Sequence, residues 1–375
     1  MKFVFYTNSV SAHQLPLARE LVTRLGVDSY RYVYTGDSLQ GGGQEVSARE
    51  PWIVQLQTQA EPQAETNFAP VEELLESCDV LMTGGLRPID LIERRAQKGL
   101  RTFYYSERWF KPYEVEFKGL GRRWRFSLPG RLRMLVPGYR RMAGRFVRWL
   151  KTDPNARYLA VGPWAKKDMV GLGAPKEKIV DWGYFVEPSH IPRMVPRPQP
   201  TTAPIKVLWV GRMLDWKRVD TIIRAVIRVN KVADEKRLPR RFSLTLVGDG
   251  PEKARLQRMA ARAVEISFVP SVPLDEVRAL MCTHDVYVLS SNAQEGWGAA
   301  LNEAMEEGMT CFGTYEAGAS AALLSESHLF CVGDYKALAL HLSNVATATS
   351  SFFTDSLPAA YTPKGAADKL MELIS

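Results

Sequence analysis

Residues 285–310, Asp285 to Thr310, read DVYVLSSNAQEGWGAALNEAMEEGMT. Val286, Tyr287, Val288 and Leu289 have the pattern of a buried strand. A polar loop follows, holding Glu295-Gly296-Trp297-Gly298. The stretch resumes as a helix carrying Glu303, eight residues after Glu295. A strand that ends in a Gly-containing loop and restarts as a helix aims backbone N–H groups above the sheet edge, which makes an anion site by geometry. Two carboxylates beside it do not suit a phosphate. They suit sugar hydroxyls, which donate hydrogen bonds to acceptor-only oxygens. The stretch therefore predicts a ligand with phosphate in its middle and hydroxylated rings at both ends.

The chain has 375 residues, too many for one typical core, so two domains are expected. Composition is globular, with 46% hydrophobic and 24% charged residues, and no segment is low-complexity or repeated. Cys78, Cys282, Cys311 and Cys331 are far apart and form no CxxC pair, which fits reduced cysteines of a cytosolic protein better than a disulfide set or a zinc site. Met1 to Tyr6 is apolar but stops at Thr7-Asn8, so it reads as a first strand rather than a signal segment. No apolar run is long enough to span a bilayer.

The net charge of +8 is concentrated. Between Glu116 and Asp153 lie eleven basic residues and no acidic one, and without them the chain would carry 38 basic against 41 acidic residues. Within this segment Tyr139–Lys151 reads as a helix. Arg140, Arg141, Arg145, Arg148 and Lys151 share one side, and Met142, Phe146, Val147, Trp149 and Leu150 the other. Lys118, Arg122, Arg123, Trp124 and Arg125 add a second patch. Basic and aromatic amphipathicity favours an interfacial helix on anionic lipid. The competing reading is a core-facing helix with a solvated basic back. Nucleic acid is not expected, because no recognition motif accompanies the charge.

In chain order, strands are expected at Lys2–Tyr6, Arg31–Tyr34, Val80–Thr83, Thr102–Tyr105, Tyr158–Val161 and Ile179–Trp182. Helices are expected at His13–Leu25, Val71–Ser77, Ile89–Lys98, Tyr139–Lys151 and Trp164–Leu172, with a long mobile excursion from Thr35 to Asn67. Glu187–Pro204, with six prolines, reads as a stiff linker. The alternation then restarts with strands at Lys206–Val210, Ser243–Val247, Ile266–Val269, Val286–Leu289 and near Cys311. Helices are expected at Val219–Val232, Glu252–Arg262, Leu274–Met281, near Ala319–Leu324, at Tyr335–Val345 and at Gly365–Ile374. Strands alternating with helices predict an α/β chain of two doubly wound, Rossmann-like domains facing each other across a cleft. The expected boundaries are 1–186 for the first domain with the basic segment 118–151, 187–204 for the linker, 205–360 for the second domain, and 361–375 for a terminal helix packing back on the first domain.

Three further constellations sit at expected carboxyl edges of strands. Gly211-Arg212 follows a strand, with Lys217 five residues on from Arg212. Two cations there clamp a diphosphate or are simply solvated, and the two carboxylates at the same edge favour the clamp. Gly248-Asp249-Gly250-Pro251-Glu252 is a strand-to-helix turn in which Asp249 reads as a helix cap. His13 starts the first helix, as a proton donor, a ligand contact or a cap-region residue. Ser106-Glu107-Arg108-Trp109 follows a strand; Glu107 and Arg108 either pair with each other or leave Glu107 to handle an acceptor hydroxyl.

The second half resembles retaining glycosyltransferases of the GT-B fold, the large family four class. The resemblance rests on the strand-Gly-Arg-x4-Lys motif (Gly211, Arg212, Lys217), the LVGDGP turn (Leu246 to Pro251), and EGWGAALNE followed by Ala304, Met305 and Gly308. The first half matches more loosely, through His13 with Leu17-Ala18. Val10-Ser11-Ala12 stands where the family has Gly-Gly, and Ser106-Glu107-Arg108 stands near the place of a second histidine. The resemblance implies that Arg212 and Lys217 bind the donor diphosphate and that Glu295 holds the sugar being moved, making these three the catalytic set. It implies that Gly296, Trp297 and Gly298 offer backbone amides, that Glu303 takes the ribose hydroxyls, and that Phe268, Val269 and Leu301 frame the base. It also implies retention of anomeric configuration by front-face attack, with no metal or other cofactor and a UDP- or GDP-linked donor.

The expected activity is transfer of a sugar to a glycan or lipid-linked acceptor, in polysaccharide or glycolipid synthesis at the cytoplasmic face of a membrane. The alternative is a nucleotide-sugar-binding scaffold of the same fold whose chemistry has decayed.

Overall fold

A computed structural model describes residues 1–35, 50–55, 71–119, 122–189, 203–236, 241–347 and 356–375, with the backbone alone described at 113–119 and 122–127. The chain divides into two compact units, Met1–Phe185 with Ala359–Ser375, and Val186–Pro358.

The first unit opens with β1 (Phe3–Thr7), α1 (Leu15–Leu25), β2 (Tyr30–Tyr34), β3 (Ile53–Gln55), α2 (Val71–Ser77), β4 (Val80–Gly84), α3 (Ile89–Gln97) and β5 (Arg101–Ser106). An antiparallel hairpin follows, β6 (Tyr113–Gly119) and β7 (Arg122–Leu128), then a 3₁₀ turn at Gly130–Leu135. The unit continues with α4 (Pro137–Thr152), β8 (Ala156–Val161), α5 (Pro163–Gly171) and β9 (Ile179–Trp182). Its seven-stranded sheet has the order β3-β2-β1-β4-β5-β8-β9, and every pairing in it is parallel. β1 and β4 are buried along nearly their whole length, as strands covered on both faces must be.

Four details depart from the sequence reading. α1 starts at Leu15, not His13. Pro16 lacks an N–H and fits only the first helical turn, so His13 lies in the turn before it. Most of the expected excursion, 36–49 and 56–70, lies outside the described residues. Between those segments β3 pairs with β2, and buried Trp52 meets Tyr30 edge to face at 5.7 Å. The hairpin was not expected, although YEVEFKG and RRWRFSL each alternate with the period of a strand. Finally, the apolar side of α4 is spent on the core. Ala143, Phe146, Val147, Trp149 and Leu150 are buried with Ile92, Tyr104, Trp109 and Tyr158. Burying that face stabilises the unit by the hydrophobic effect, so it is not free to lie on lipid. Nor is the basic side wholly without counter-charge, since Arg145 reaches Asp90 at 2.6 Å and Glu93 at 3.0 Å on α3.

The second unit runs β10 (Ile205–Val210), α6 (Val219–Lys236), β11 (Phe242–Val247), α7 (Lys253–Ala260), β12 (Ile266–Val269) and α8 (Leu274–Met281). It continues with β13 (Val286–Leu289), α9 (Ala300–Glu306), β14 (Thr310–Thr314), α10 (Gly318–Leu323), β15 (Leu329–Phe330) and α11 (Tyr335–Thr347). Its sheet, β12-β11-β10-β13-β14-β15, is again wholly parallel. Val219, Ile222, Ile223 and Val226 of α6 bury an i, i+3, i+4, i+7 stripe in one core with Val207, Trp209, Leu244 and Leu246. The 13 residues 190–202 of the expected linker lie outside the described residues.

The last helix, α12 (Pro363–Ile374), belongs to the first unit. Thr362 caps it, accepting from the Gly365 N–H at 3.1 Å, and Asp368 receives Arg24 of α1 at 2.6 Å.

Candidate active site

In a parallel sheet, ligands bind beyond the carboxyl ends of the strands where the winding reverses. In the second unit that point lies between β10 and β13. The loop after β10 carries Gly211, Arg212 and Lys217; the loop after β13 carries Glu295. The two loops are bound together. Asn292 N–H donates to the Trp216 carbonyl at 2.8 Å, and Ser290 Oγ to the Lys217 carbonyl at 2.6 Å. Lys217 forms an ion pair with Glu295, and Ser291 Oγ donates to the same carboxylate at 2.9 Å. Arg212 is exposed at this edge.

Backbone packing holds the neighbouring loop in place. Gly211 N–H donates to the Val247 carbonyl at 3.0 Å, and Met213 N–H to the Asp249 carbonyl at 2.8 Å. Gly248 has φ +134°, and a Cβ there would run into the Gly211 carbonyl. Asp249 is not the cap of α7. Its carboxylate accepts the Ser271 N–H at 3.0 Å and pairs with Lys253, while Glu252 stands at the cap position.

Glu303 lies one helical turn into α9 and is only 4% exposed. Burial pushes its carboxyl up to about 7, against the pull of Arg278, and Glu307 raises it further. Arg278 is held by Glu307 at 2.6 Å through Nε. Glu303 is thus poised between a charged and a neutral acceptor at physiological pH. Trp297 is fully buried, its indole N–H donating to Asn302 Oδ1 at 2.9 Å. Gly296 and Gly298 flank it. The Gly296 carbonyl lies against Gly318, and Gly298 takes φ +104° under Leu289. Leu301 is fully buried on α9. Phe268 and Val269 end β12, the edge strand two places from β10, half-buried, with Phe268 packed on the core.

The first unit gathers its candidates at the equivalent edge. His13 stacks on Tyr184, ring centroids 6.2 Å apart, and its carbonyl accepts the Phe185 N–H at 3.1 Å. Burial lowers the His13 imidazole to about 4, so it is neutral near pH 7. Tyr184 OH donates to Glu107 at 2.9 Å, and Lys111 pairs with the other Glu107 oxygen. Glu107 and Arg108 do not pair with each other. Consecutive side chains diverge, and Arg108 turns toward Asp168 (3.9 Å) and stands over the Trp164 ring. Tyr184, Lys111, Ser291 and Arg278 were not singled out from the sequence. Lys111 lies four residues after Glu107 and Ser291 four before Glu295, but outside a helix that spacing marks no pair.

The family described as "Glycosyl transferases group 1" matches residues 204–347, the stretch containing every donor-side residue above. That stretch is similar to the family; the rest of the chain lies outside the match. Among curated relatives is an uncharacterized glycosyltransferase of Methanocaldococcus jannaschii, 32% identical over 103 residues, 27% of this chain and 25% of the relative. Another is the GtfA subunit of a UDP-N-acetylglucosamine–peptide N-acetylglucosaminyltransferase of Limosilactobacillus reuteri, 22% identical over 117 residues, 31% of this chain and 22% of the relative. The chain thus spans about a quarter of the length of these relatives. Among solved structures, the lipopolysaccharide outer core galactosyltransferase WaaB aligns with TM-score 0.68 at 14% identity over 100% of this chain and 99% of that one. HepE from Anabaena, solved with UDP, aligns with TM-score 0.61 at 13% identity over 99% and 94%. At these identities the shared property is the fold, the two-unit α/β architecture of GT-B glycosyltransferases.

Proposed function

We propose that the protein transfers a sugar from a nucleotide-sugar donor to a hydroxylated glycan or lipid-linked acceptor, with retention of configuration and without a metal. The reading extends to cell-surface polysaccharide or glycolipid synthesis at the inner face of a membrane, with the basic segment 118–151 as the membrane-facing part. The observation that carries it is the Lys217–Glu295 pair at the β10/β13 switch point, with buried Glu303 on the helix that follows. A diphosphate draws Lys217 away from Glu295. The freed carboxylate then accepts hydrogen bonds from the hydroxyls of the sugar. Arg212 and Lys217 stabilise the negative charge that grows on the leaving phosphate, and Glu303 takes the ribose hydroxyls. HepE structures hold UDP and UDP-glucose, which supports a uridine nucleotide as the first donor to try.

The test is a thermal-shift panel of UDP-, GDP- and ADP-sugars. One class is expected to raise the melting temperature, and a ligand at 100 times its Kd stabilises by about 2.7 kcal/mol. Donor affinity is expected to rise with pH between about 6 and 8, because binding to hydroxyls favours ionised Glu303. Glu303→Gln should flatten that rise. The same raised carboxyl makes Glu303 a group whose contribution to unliganded stability is present at acid pH and lost as pH climbs toward 7. No shift from any donor class, or an equal shift in Lys217→Ala, overturns the reading. Donor binding without turnover on any extracted acceptor pool would instead identify a scaffold, a reading favoured by Val10-Ser11-Ala12 standing where the family has Gly-Gly.

On the acceptor side, Glu107 is the first carboxylate after β5, and Tyr184 and Lys111 orient it. Glu107→Gln is expected to lower kcat about 10²-fold while leaving the donor-induced thermal shift unchanged. A loss of donor binding in that variant would remove Glu107 from the acceptor side.

A further inference from the structure

We infer that the Gly130–Leu135 turn, together with the start of α4, inserts into a lipid surface bearing negative headgroups. The inference rests on the membrane reading above and replaces the mode of contact that the sequence pattern implied. The apolar stripe of α4 is consumed by the core, so it supplies no contact. The turn before it does. Among the described residues, ten large apolar side chains are well exposed, and four of them fall within nine positions: Leu128 (40%), Leu132 (42%), Leu135 (78%) and Val136 (56%). A soluble protein rarely concentrates such residues on one projection without using them.

The turn is rooted firmly. A Cβ at Gly130 would strike the backbone of Phe110 and Lys111, Arg131 stands 5.8 Å over the Phe110 ring, and Tyr139 OH donates to the Trp109 carbonyl at 3.0 Å. Its apolar tip is therefore presented rather than free to fold away. Beside it Arg131, Arg140 and Arg141 are exposed, and no acidic residue occurs from Leu128 to Thr152. Between turn and helix lies a groove of about 370 Å³ lined by Met134, Leu135, Pro137, Arg140 and Arg141. Its chemistry, apolar side chains beside two guanidiniums, matches an acyl chain beneath a phosphate. An apolar tip ringed by cations fits an anionic bilayer, where leucines enter the boundary and arginines stay at headgroup level. Nucleic acid would leave Leu135 and Val136 in water.

The experiment is co-sedimentation with phosphatidylcholine vesicles with and without about 30% phosphatidylglycerol, at salt from about 0.1 to about 0.5 M. The full chain is expected to bind the anionic vesicles and to retain part of that binding at high salt. Leu135→Ser with Val136→Ser is expected to weaken binding about tenfold or more and to abolish the salt-resistant part. Both side chains are exposed, so the melting temperature should not move. Leu340→Ser, which removes an equally exposed leucine from the second unit, should bind like the parent. If the parent binds and the double variant binds equally well, the turn does not insert. If the parent binds neither vesicle, or binds a short DNA duplex in preference and the double variant does the same, the membrane reading falls with it.

Discussion

Lys217→Ala should lower the turnover of sugar transfer about 10²–10³-fold, the usual consequence of removing one preorganised partner of a developing oxyanion. The size follows from position. Lys217 is held at the switch point by its own backbone, whose carbonyl accepts Ser290 Oγ and whose N–H donates to Leu214. Its ammonium rests on Glu295 until a diphosphate competes for it. Removing the ammonium takes a cation from the phosphate and leaves Glu295, with Ser291 Oγ at 2.9 Å, short of its strongest partner. Loss of the cation opposes donor binding as well as leaving-group departure, so kcat and donor affinity should fall together. Lys217→Arg restores charge without the point geometry of an ammonium and should recover only part of the loss. Steady-state kinetics on the three proteins decides it. An alanine variant within threefold of the parent, on the order of 0.6 kcal/mol, would remove Lys217 from the chemistry.

Gly248→Ala should be among the most damaging single-atom changes to stability. At φ +134° an L side chain is strained, and the added Cβ meets the Gly211 carbonyl, a backbone atom with no room to move. The two effects together should cost about 3–5 kcal/mol. For a unit of this size that lowers the melting temperature by roughly 10 °C. Because Gly211 begins the donor loop, the variant should also bind donor more weakly at temperatures where it is still folded. Gly138→Ala is the control. It has φ outside the positive range and open space at its Cβ, and it should be neutral or slightly stabilising. A scan showing equal melting temperatures for the two variants would contradict the packing described for these loops.

The second unit was the more legible half. Val286–Leu289, Ile266–Val269 and Leu274–Met281 could be bounded from apolar runs and punctuation because strand and helix periods are short and local. The adjacency of β10 and β13, which unites Lys217 with Glu295, follows from the alternation of strands and helices only at the level of topology. The ion pair itself joins residues 78 positions apart and left no local mark. Arg278 near Glu303 is the same kind of case, since a surface-like helix position was buried by tertiary packing. In the first unit, Tyr184 could not be connected to Glu107 by any spacing argument. The basic segment misled for another reason. An amphipathic wheel shows that a helix has an apolar face but not what covers it, and α4 gives that face to Phe146, Trp109 and Tyr158 in its own core.

The return of α12 to the first unit bears on biogenesis. As the chain leaves the ribosome, the second unit is contiguous and complete once residue 358 has emerged. The first unit, although synthesised earlier, lacks α12 until the end. Leu17, Ala18 and Leu21 of α1 are buried in the finished fold, and Arg24 meets Asp368 only when α12 arrives. The later-encoded unit can therefore reach its native state first, while the earlier one waits with an incompletely covered helix. That interval is where a holding chaperone would find apolar surface, and a ribosome stalled just short of α12 would release a finished second unit attached to an unfinished first one.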